Sequence, residues 1–282
     1  MAKILLAQPV IDEAIHQLSK EVSLLNTPPN LAVVLVGNNP ASQIYVTKKL
    51  EFCKKIGANC KIHHLSEDIE VSKFLNTVSD LSKDSKINGI LIQLPLPKQL
   101  SHLDIGQLIP QEKDVDGFHP LNTYELYRNS KDEFLTPCTP LGIIRLLRFY
   151  GFSFEGKSAL IIGRSTIVGK PLSLLLNNLN ATTTLAHSKT TNLKDLCHKA
   201  DIIFSATGDP KFLTPDFFRE DQSQWIIDVG ISRDKQNKLS GDVDFNNVKD
   251  HVHAITPVPG GIGPMTIFSL AENLVSATKK QL

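Results

Sequence analysis

What the chain lacks narrows its class before any motif is read. None of its 282 residues belongs to a run approaching the ~20 apolar residues that a membrane-spanning helix needs. The N-terminal MAKILLAQPVIDEAIHQ carries one early lysine, but Asp12 and Glu13 follow and there is no apolar core of a secretory leader. Cysteine is scarce: Cys53, Cys60, Cys138 and Cys197 are far apart, with no C-x-x-C pair among them. They read as reduced thiols of a cytoplasmic protein, not as a disulfide framework. Charge of one sign is also missing, since 30 basic residues against 29 acidic ones leave a net +1. That balance excludes a polybasic nucleic-acid binder and an acidic disordered chain. His63 and His64 are neighbours on a candidate strand and so face opposite sides. The other histidines show no ligand spacing with Cys or Asp, so no metal is expected.

Short apolar runs do occur, and they alternate with longer periodic segments, which is the α/β signature. Candidate strands cover 31–36, 60–65, 87–94, 158–162, 182–186, 201–206, 225–229 and 253–255. Most are rich in Val, Ile and Leu with few polar interruptions, as parallel strands covered on both faces should be. Asn39-Pro40 opens a helix that Gly57 stops: Asn39 caps it and Pro40 takes the first helical position. Thr139-Pro140 opens a second helix and Thr214-Pro215 a third by the same logic. From about Pro264 to Lys280, apolar residues at 267, 270, 271, 274 and 275 form one buried stripe of a last helix.

The length predicts about two domains. The stretch between Phe118 and Cys138 mixes charged and turn-forming residues, so the boundary is placed there. The expected architecture is a three-layer α/β domain of residues 1–120 plus 265–282 and a Rossmann-like domain of residues 139–264. In the latter, Thr256 to Pro264 form a glycine-proline run in which neither helix nor strand is expected to persist.

The second domain carries a strand, a glycine turn and a helix in EGKSALIIGRSTIVGKPLSLLLNNL. Gly163 and Gly169 replace the usual G-x-G-x-x-G spacing, yet a tight strand exit still brings helix N–H groups toward a diphosphate. The plainer alternative is a strand-to-helix turn that needs glycine only for packing. The next strand ends at Ala186 and continues as His187-Ser188-Lys189, without the acid that holds a ribose 2′-hydroxyl. With Arg164 in the glycine turn, this pattern favours the 2′-phosphate of NADP.

In the first domain Tyr45 and Lys49 are i and i+4 on one helix and share a face. Taken alone, Lys49 is one of an exposed Lys48-Lys49 pair. Gln93 is more informative, because an amide inside the apolar run GILIQLPLP must find hydrogen bonds. Of Asp114 and Asp116, one can cap the turn while the other accepts a ligand.

Nine stretches in order, ASQIYVTKK, GILIQLPLP, KDVDGFHPLN, PCTPLGI, GRSTIVGKP, AHSKT, DVGI, GDVDF and PVPGGIGPMT, carry a resemblance over essentially the whole chain. They resemble the bifunctional methylenetetrahydrofolate dehydrogenase/methenyltetrahydrofolate cyclohydrolase family. The resemblance implies a cleft between the domains in which 5,10-methylenetetrahydrofolate is oxidised with NADP and the methenyl product is hydrolysed to 10-formyltetrahydrofolate. It implies Lys49 as the central catalytic residue, Gln93 as its hydrogen-bonding partner, Tyr45 packed beside the folate and Asp116 accepting from the pterin ring. Pro259, Gly260, Gly261 and Pro264, with Thr266 as a further candidate, would line the substrate site. Gly163, Arg164, Ser165, Gly169, His187 and Ser188 would hold NADP, with Ile231 near the nicotinamide. The resemblance also implies a homodimer and tetrahydrofolate derivatives as the only other partners.

The implied chemistry suits these residue types. Hydride loss leaves a cation on the folate, and a lysine that stayed charged beside it would hinder the step, so the neutral amine is expected to act. In the hydrolysis Lys49 would move protons while Gln93 orients either the attacking water or the ammonium group. Two positions depart from the family: Thr123-Tyr124-Glu125-Leu126 after Asn122, and Leu274 after Asn273. A relative keeping one of the two steps, and a silent folate or nucleotide binder, are the competing readings. Intact Lys49, Gln93 and Asp116 argue against the silent binder.

Overall fold

The computed structural model describes residues 2–233 and 238–282. The chain begins with β1 (Lys3–Ile4), α1 (Ala7–Ser23), β2 (Asn30–Val36), α2 (Pro40–Ile56), β3 (Asn59–Leu65), α3 (Val71–Lys83) and β4 (Gly89–Ile92). After three short 3-10 turns come α4 (Pro120–Tyr127), α5 (Cys138–Phe149), β5 (Ser158–Ile162), α6 (Gly169–Asn178) and β6 (Thr182–Ala186). Next are α7 (Leu193–Lys199), β7 (Ile202–Ser205), β8 (Trp225–Asp228), β9 (Ser232–Arg233) and β10 (Leu239–Ser240). The chain closes with α8 (Phe245–Val248), β11 (Ala254–Ile255) and α9 (Ile262–Gln281). Among the described residues no helix is long and apolar enough to cross a membrane.

Two compact units share these elements. One contains Asp12–Cys138 and Ile267–Leu282; the other contains Thr139–Thr266 and the N-terminal residues up to Ile11.

In the first unit β3, β2 and β4 pair in parallel in that order, with Leu31 opposite both Cys60 and Gly89. Six of the seven β2 residues are buried, so β2 is the central strand, as its unbroken Val/Leu run requires. Ala32, Val34, Ile90 and Ile92 pack with Phe74 and Val78 of α3 and with Leu100. Each of these side chains larger than alanine, fully removed from water, contributes roughly 1.5–3 kcal/mol. The α2 start is as expected: Asn39 Oδ1 accepts from the Ser42 N–H at 3.1 Å. Gly57, at φ 82°, donates back to the carbonyls of Cys53 and Lys54 and ends the helix. The α9 stripe at 267, 270, 271, 274 and 275 is buried throughout. Leu274, one of the two departures from the family, is fully buried beside Gly89.

The second unit holds one six-stranded sheet of order β1-β11-β8-β7-β5-β6 with every pairing parallel. From β5 the chain steps outward to β6, then crosses back to β7, β8 and β11. The winding therefore reverses between β5 and β7, and loops leaving their carboxyl ends diverge there. Leu160, Ile162, Ile203, Ile226 and Ile255 make the core.

Several expectations need correction. Residues 1–11 do not belong with the first domain as expected: Lys3 and Ile4 pair with Ala254 and Ile255, and the Leu5 N–H donates to the Ile255 carbonyl at 2.8 Å. A two-residue strand is too short to show any period, so no local signal announces it. The glycine-proline run does not stay irregular to Pro264, because α9 begins at Ile262. Pro264 sits in its first turn, where a missing N–H breaks no helical bond. Thr214-Pro215 opens only a 3-10 turn, Pro215–Phe217. The antiparallel pair β9 and β10 had no counterpart among the candidate strands.

Candidate active site

Helix α2 buries Val46, Lys49, Cys53 and Ile56, the spacing of one helical face. Lys49 thus occupies a core position, 8% exposed, while Lys48 is exposed. Its Nζ donates to Gln93 Oε1 at 2.9 Å. Gln93 follows β4, and its backbone N–H donates to the Val34 carbonyl at 2.9 Å, extending the ladder by one residue. The Gln93 Nε2 donates to the Leu94 carbonyl at 2.7 Å, which turns the amide oxygen toward Lys49. The side chain is half-buried, less enclosed than its apolar context implies. The peptide between Leu94 and Pro95 is cis. Tyr45, one turn before Lys49, is half-buried, and burial pushes its phenol up.

Of the two candidates for the turn-capping role, Asp114 is the one whose bonds fit it. Asp114 is buried, and its Oδ2 accepts from the His119 N–H at 2.7 Å and from Asn122 Nδ2 at 3.0 Å. Burial pushes this carboxyl up to about 6 against the pull of those donors. Asp114 therefore ties the loop, with Asn122, the residue before the Thr123-Tyr124-Glu125-Leu126 departure, as its partner. Asp116 is half-buried; burial raises its carboxyl, and the nearby Lys49 and the Cys138 thiol pull the other way. Lys49, Gln93 and Asp116 form one polar cluster at the carboxyl end of β4.

Asn273 supports this cluster and was not singled out from the sequence. Its Nδ2 donates to the carbonyls of Val115 at 2.9 Å and Thr136 at 2.8 Å, joining the two chain segments beside Asp116. The available signal was a lone amide inside the apolar α9 stripe.

In the second unit the predicted cofactor residues gather at the β5 and β6 carboxyl ends. Gly163 leaves β5 at φ 122°, and a Cβ there would overlap the Ala206 carbonyl oxygen. A Cβ on Gly169 would overlap the carbonyl oxygen of Gly163, so this turn closes only with glycine at both places. Ser165 Oγ accepts from the N–H groups of Val168 at 3.1 Å and Gly169 at 3.4 Å. Arg164 is exposed, and among the described residues its guanidinium has no partner. His187 Nδ1 accepts from the Lys189 N–H at 3.2 Å, which leaves the proton on Nε2, and Ser188 is exposed beside it. A free guanidinium, an imidazole N–H and a hydroxyl, with no carboxylate ending β6, are a donor set that fits a 2′-phosphate. Ile231 follows β8 and is 42% exposed.

The remaining predicted residues also lie in the second unit. The peptide between Val258 and Pro259 is cis. The Gly260 carbonyl accepts from the Ala7 N–H at 2.9 Å, and the Gly261 N–H donates to Pro257 at 2.9 Å. Pro264 lies in the first turn of α9. Thr266 Oγ1 lies 3.1 Å from Thr139 Oγ1 and donates to the Ile262 carbonyl.

A dinucleotide-type switch point in one unit and a lysine-centred polar cluster in the other place the chain among two-domain α/β enzymes that work with a nicotinamide nucleotide. Within that class it belongs to the tetrahydrofolate dehydrogenase/cyclohydrolase family. That family's catalytic domain matches residues 5–116 and its NAD(P)-binding domain residues 137–282. The chain is 47% identical over 271 residues to the bifunctional protein FolD of Streptococcus thermophilus, covering 95% of this chain and 94% of that one. Among solved structures it is similar to the bifunctional FolD of Campylobacter jejuni, at 39% identity and TM-score 0.93 with both chains fully covered. It is also similar to the Trypanosoma brucei enzyme complexed with NADP and an inhibitor, at 30% identity and TM-score 0.92, covering 99% and 98% of the two chains.

Proposed function

We propose that Lys49 is the proton-handling residue of a bifunctional enzyme that oxidises 5,10-methylenetetrahydrofolate with NADP and hydrolyses the methenyl product to 10-formyltetrahydrofolate. The observation that carries this reading is the buried Lys49 Nζ held at 2.9 Å by Gln93 Oε1, with the Asp116 carboxyl beside it. NADP, when bound, supplies the hydride acceptor that no side chain can provide. This chain's residues bind and align. Asp116 accepts from the amino and ring N–H donors of the pterin, a charge-assisted pairing that orients the folate. Tyr45 packs against it. Pro259, Gly260, Gly261, Pro264 and Thr266 are assigned to the substrate as well.

In the hydrolysis, water adds to the methenyl carbon and one carbon–nitrogen bond then breaks. Lys49 takes a proton from the water and returns one to the departing nitrogen, while Gln93 holds the amine in place through a single N–H. Arg164, Ser165, His187 and Ser188 are assigned to the nucleotide, Gly163 and Gly169 to its turn, and Ile231 to the nicotinamide end. Residues 139–264 are the NADP-binding domain in this reading, and 12–120 with 265–282 handle folate. The likeness to the family supports a homodimer working in the cytoplasm, and all four cysteines are free thiols, as that compartment favours.

The test follows both reactions on purified protein. Reduced nicotinamide is monitored with methylenetetrahydrofolate and NADP, and the decay of added methenyltetrahydrofolate is measured separately. Lys49→Met should lower the hydrolysis by about 100-fold or more. Hydrolysis unchanged by that substitution removes Lys49 from the role.

A further inference from the structure

Two buried aspartates at the carboxyl edge of the six-stranded sheet interlock in a way that the assigned cofactor residues do not explain. Asp228 ends β8 and Asp242 follows β10, and they are 3% and 0% exposed. Asp228 Oδ1 accepts from the N–H groups of Gly230 at 3.1 Å and Asp242 at 3.0 Å, and its Oδ2 from Val243 at 2.9 Å. Asp242 Oδ2 accepts from Ser205 Oγ at 2.8 Å and the Thr207 N–H at 2.7 Å, and its Oδ1 from the Gly208 N–H at 3.0 Å. Packing is reciprocal too. A Cβ on Gly230 would overlap the Asp242 carboxylate, and a Cβ on Gly241 would overlap that of Asp228.

Burying two carboxylates side by side is unfavourable, and among the described residues neither forms an ion pair. Six hydrogen bonds offset that cost, and five of their donors are backbone N–H groups in loops. Those loops leave β7 at Thr207 and Gly208, and β8 at Gly230. Ile231, assigned to the nicotinamide end, is the next residue after Gly230. Ala206, whose carbonyl closes the Gly163 turn, is the residue before Thr207. One latch therefore sets both loops beside the switch point.

We propose that Asp228 and Asp242 are positioning residues for the dehydrogenase step, fixing the loops after β7 and β8 so that the bound nicotinamide is held for hydride transfer. The inference rests on the reading of this unit as the NADP site. Hydrolysis of methenyltetrahydrofolate consumes no nicotinamide and so reports on the rest of the protein.

The experiment compares the wild-type protein with Asp242→Asn, which keeps the shape but turns an amide N–H₂ toward one loop donor. Three quantities are read: NADP affinity by calorimetric titration, kcat and KM of the dehydrogenase, and hydrolysis of added methenyltetrahydrofolate. A rise of about tenfold in the NADP dissociation constant or KM, with hydrolysis kept within about twofold, is expected. Unchanged NADP affinity and dehydrogenase kcat would overturn the latch, and so would an equal loss of both activities, which marks a purely structural role. If Asp242→Asn does not fold, Ser205→Ala removes a single donor to the same oxygen. It should weaken NADP binding about two- to fivefold with hydrolysis intact, and no change overturns the proposal. Failure of the wild-type protein itself to bind NADP would instead overturn the reading on which the latch rests.

Discussion

The tripeptide Asp-Val-Asp occurs once in each unit, at 114–116 and at 242–244, and the two copies do different work from the same local pattern. In both, the first aspartate and the valine are buried and the second aspartate is half-buried. In both, the first carboxylate accepts from backbone N–H groups and ties loops together. The second aspartates part company. Asp116 lies beside Lys49, while Asp244 precedes the short helix α8 and accepts from Asn247 Nδ2 at 2.6 Å. An alternation of buried and open carboxylates is thus a structural device, and in the proposed mechanism chemistry enters only where another element brings a lysine near the open one.

The largest expected effect separates the two open aspartates. Asp116→Ala should lower kcat/KM for methylenetetrahydrofolate by about 10- to 100-fold, the loss of one or more charge-assisted bonds of roughly 1.5–3 kcal/mol. Asp244→Ala should leave both activities within about twofold. Equal losses in the two variants would break the comparison.

Arg164→Ala acts on the nucleotide unit alone. It should raise KM for NADP by about tenfold or more and leave that for NAD nearly unchanged, because only the 2′-phosphate loses its guanidinium. Parallel changes for both nucleotides would take Arg164 away from that phosphate.

The buried member of the first pair should show itself in stability. Asp114→Asn keeps its size but spoils one acceptor for the His119 N–H and Asn122 donors, at a cost of about 1–3 kcal/mol in urea unfolding. A wild-type midpoint in that variant would mean that Asp114 does not tie the loop.

The smallest effect is a pH dependence of the second pair. Burial, with the neighbouring Asp242, pushes Asp228 up to about 7 against three backbone donors. A carboxyl raised in the native state takes up its proton there first, so protonation favours the native state. That stabilisation is complete below the ordinary carboxylate range and is lost as pH rises through about 7. Relative to Asp228→Asn, the wild-type protein should therefore gain ~1 kcal/mol as pH falls from about 8 to about 6.5. A gap that narrows instead would contradict the raised carboxyl.

Most of the fold was legible. The eight candidate strands all overlap observed strands, and those at the sheet centres, such as β2, β5 and β7, stand out because a buried parallel strand must be continuously apolar whatever its neighbours are. The α2 boundaries were legible for an equally local reason, since Asn39, Pro40 and Gly57 act on backbone groups within four residues of themselves. The site was less so. Lys48 and Lys49 are equivalent in composition, and only the buried stripe of 46, 49, 53 and 56 tells them apart. Asn273 and Asp242 are not legible because their partners are far along the chain, 158 residues away for Asn273 and Val115 and 34 to 37 for Asp242.

By itself the sequence determined a parallel α/β protein with a glycine turn suited to a nucleotide and a family likeness in ordered motifs. Burial periods and helix caps are local properties that survive without knowledge of contacts. Tertiary structure alone decided that Lys3 and Ile4 join the second sheet, that Asp114 ties its loop through His119 and Asn122, and that Asp228 and Asp242 interlock. Each of those outcomes depends on which elements meet. Lys49 and Gln93 are 44 residues apart and touch only because α2 and the end of β4 are brought together.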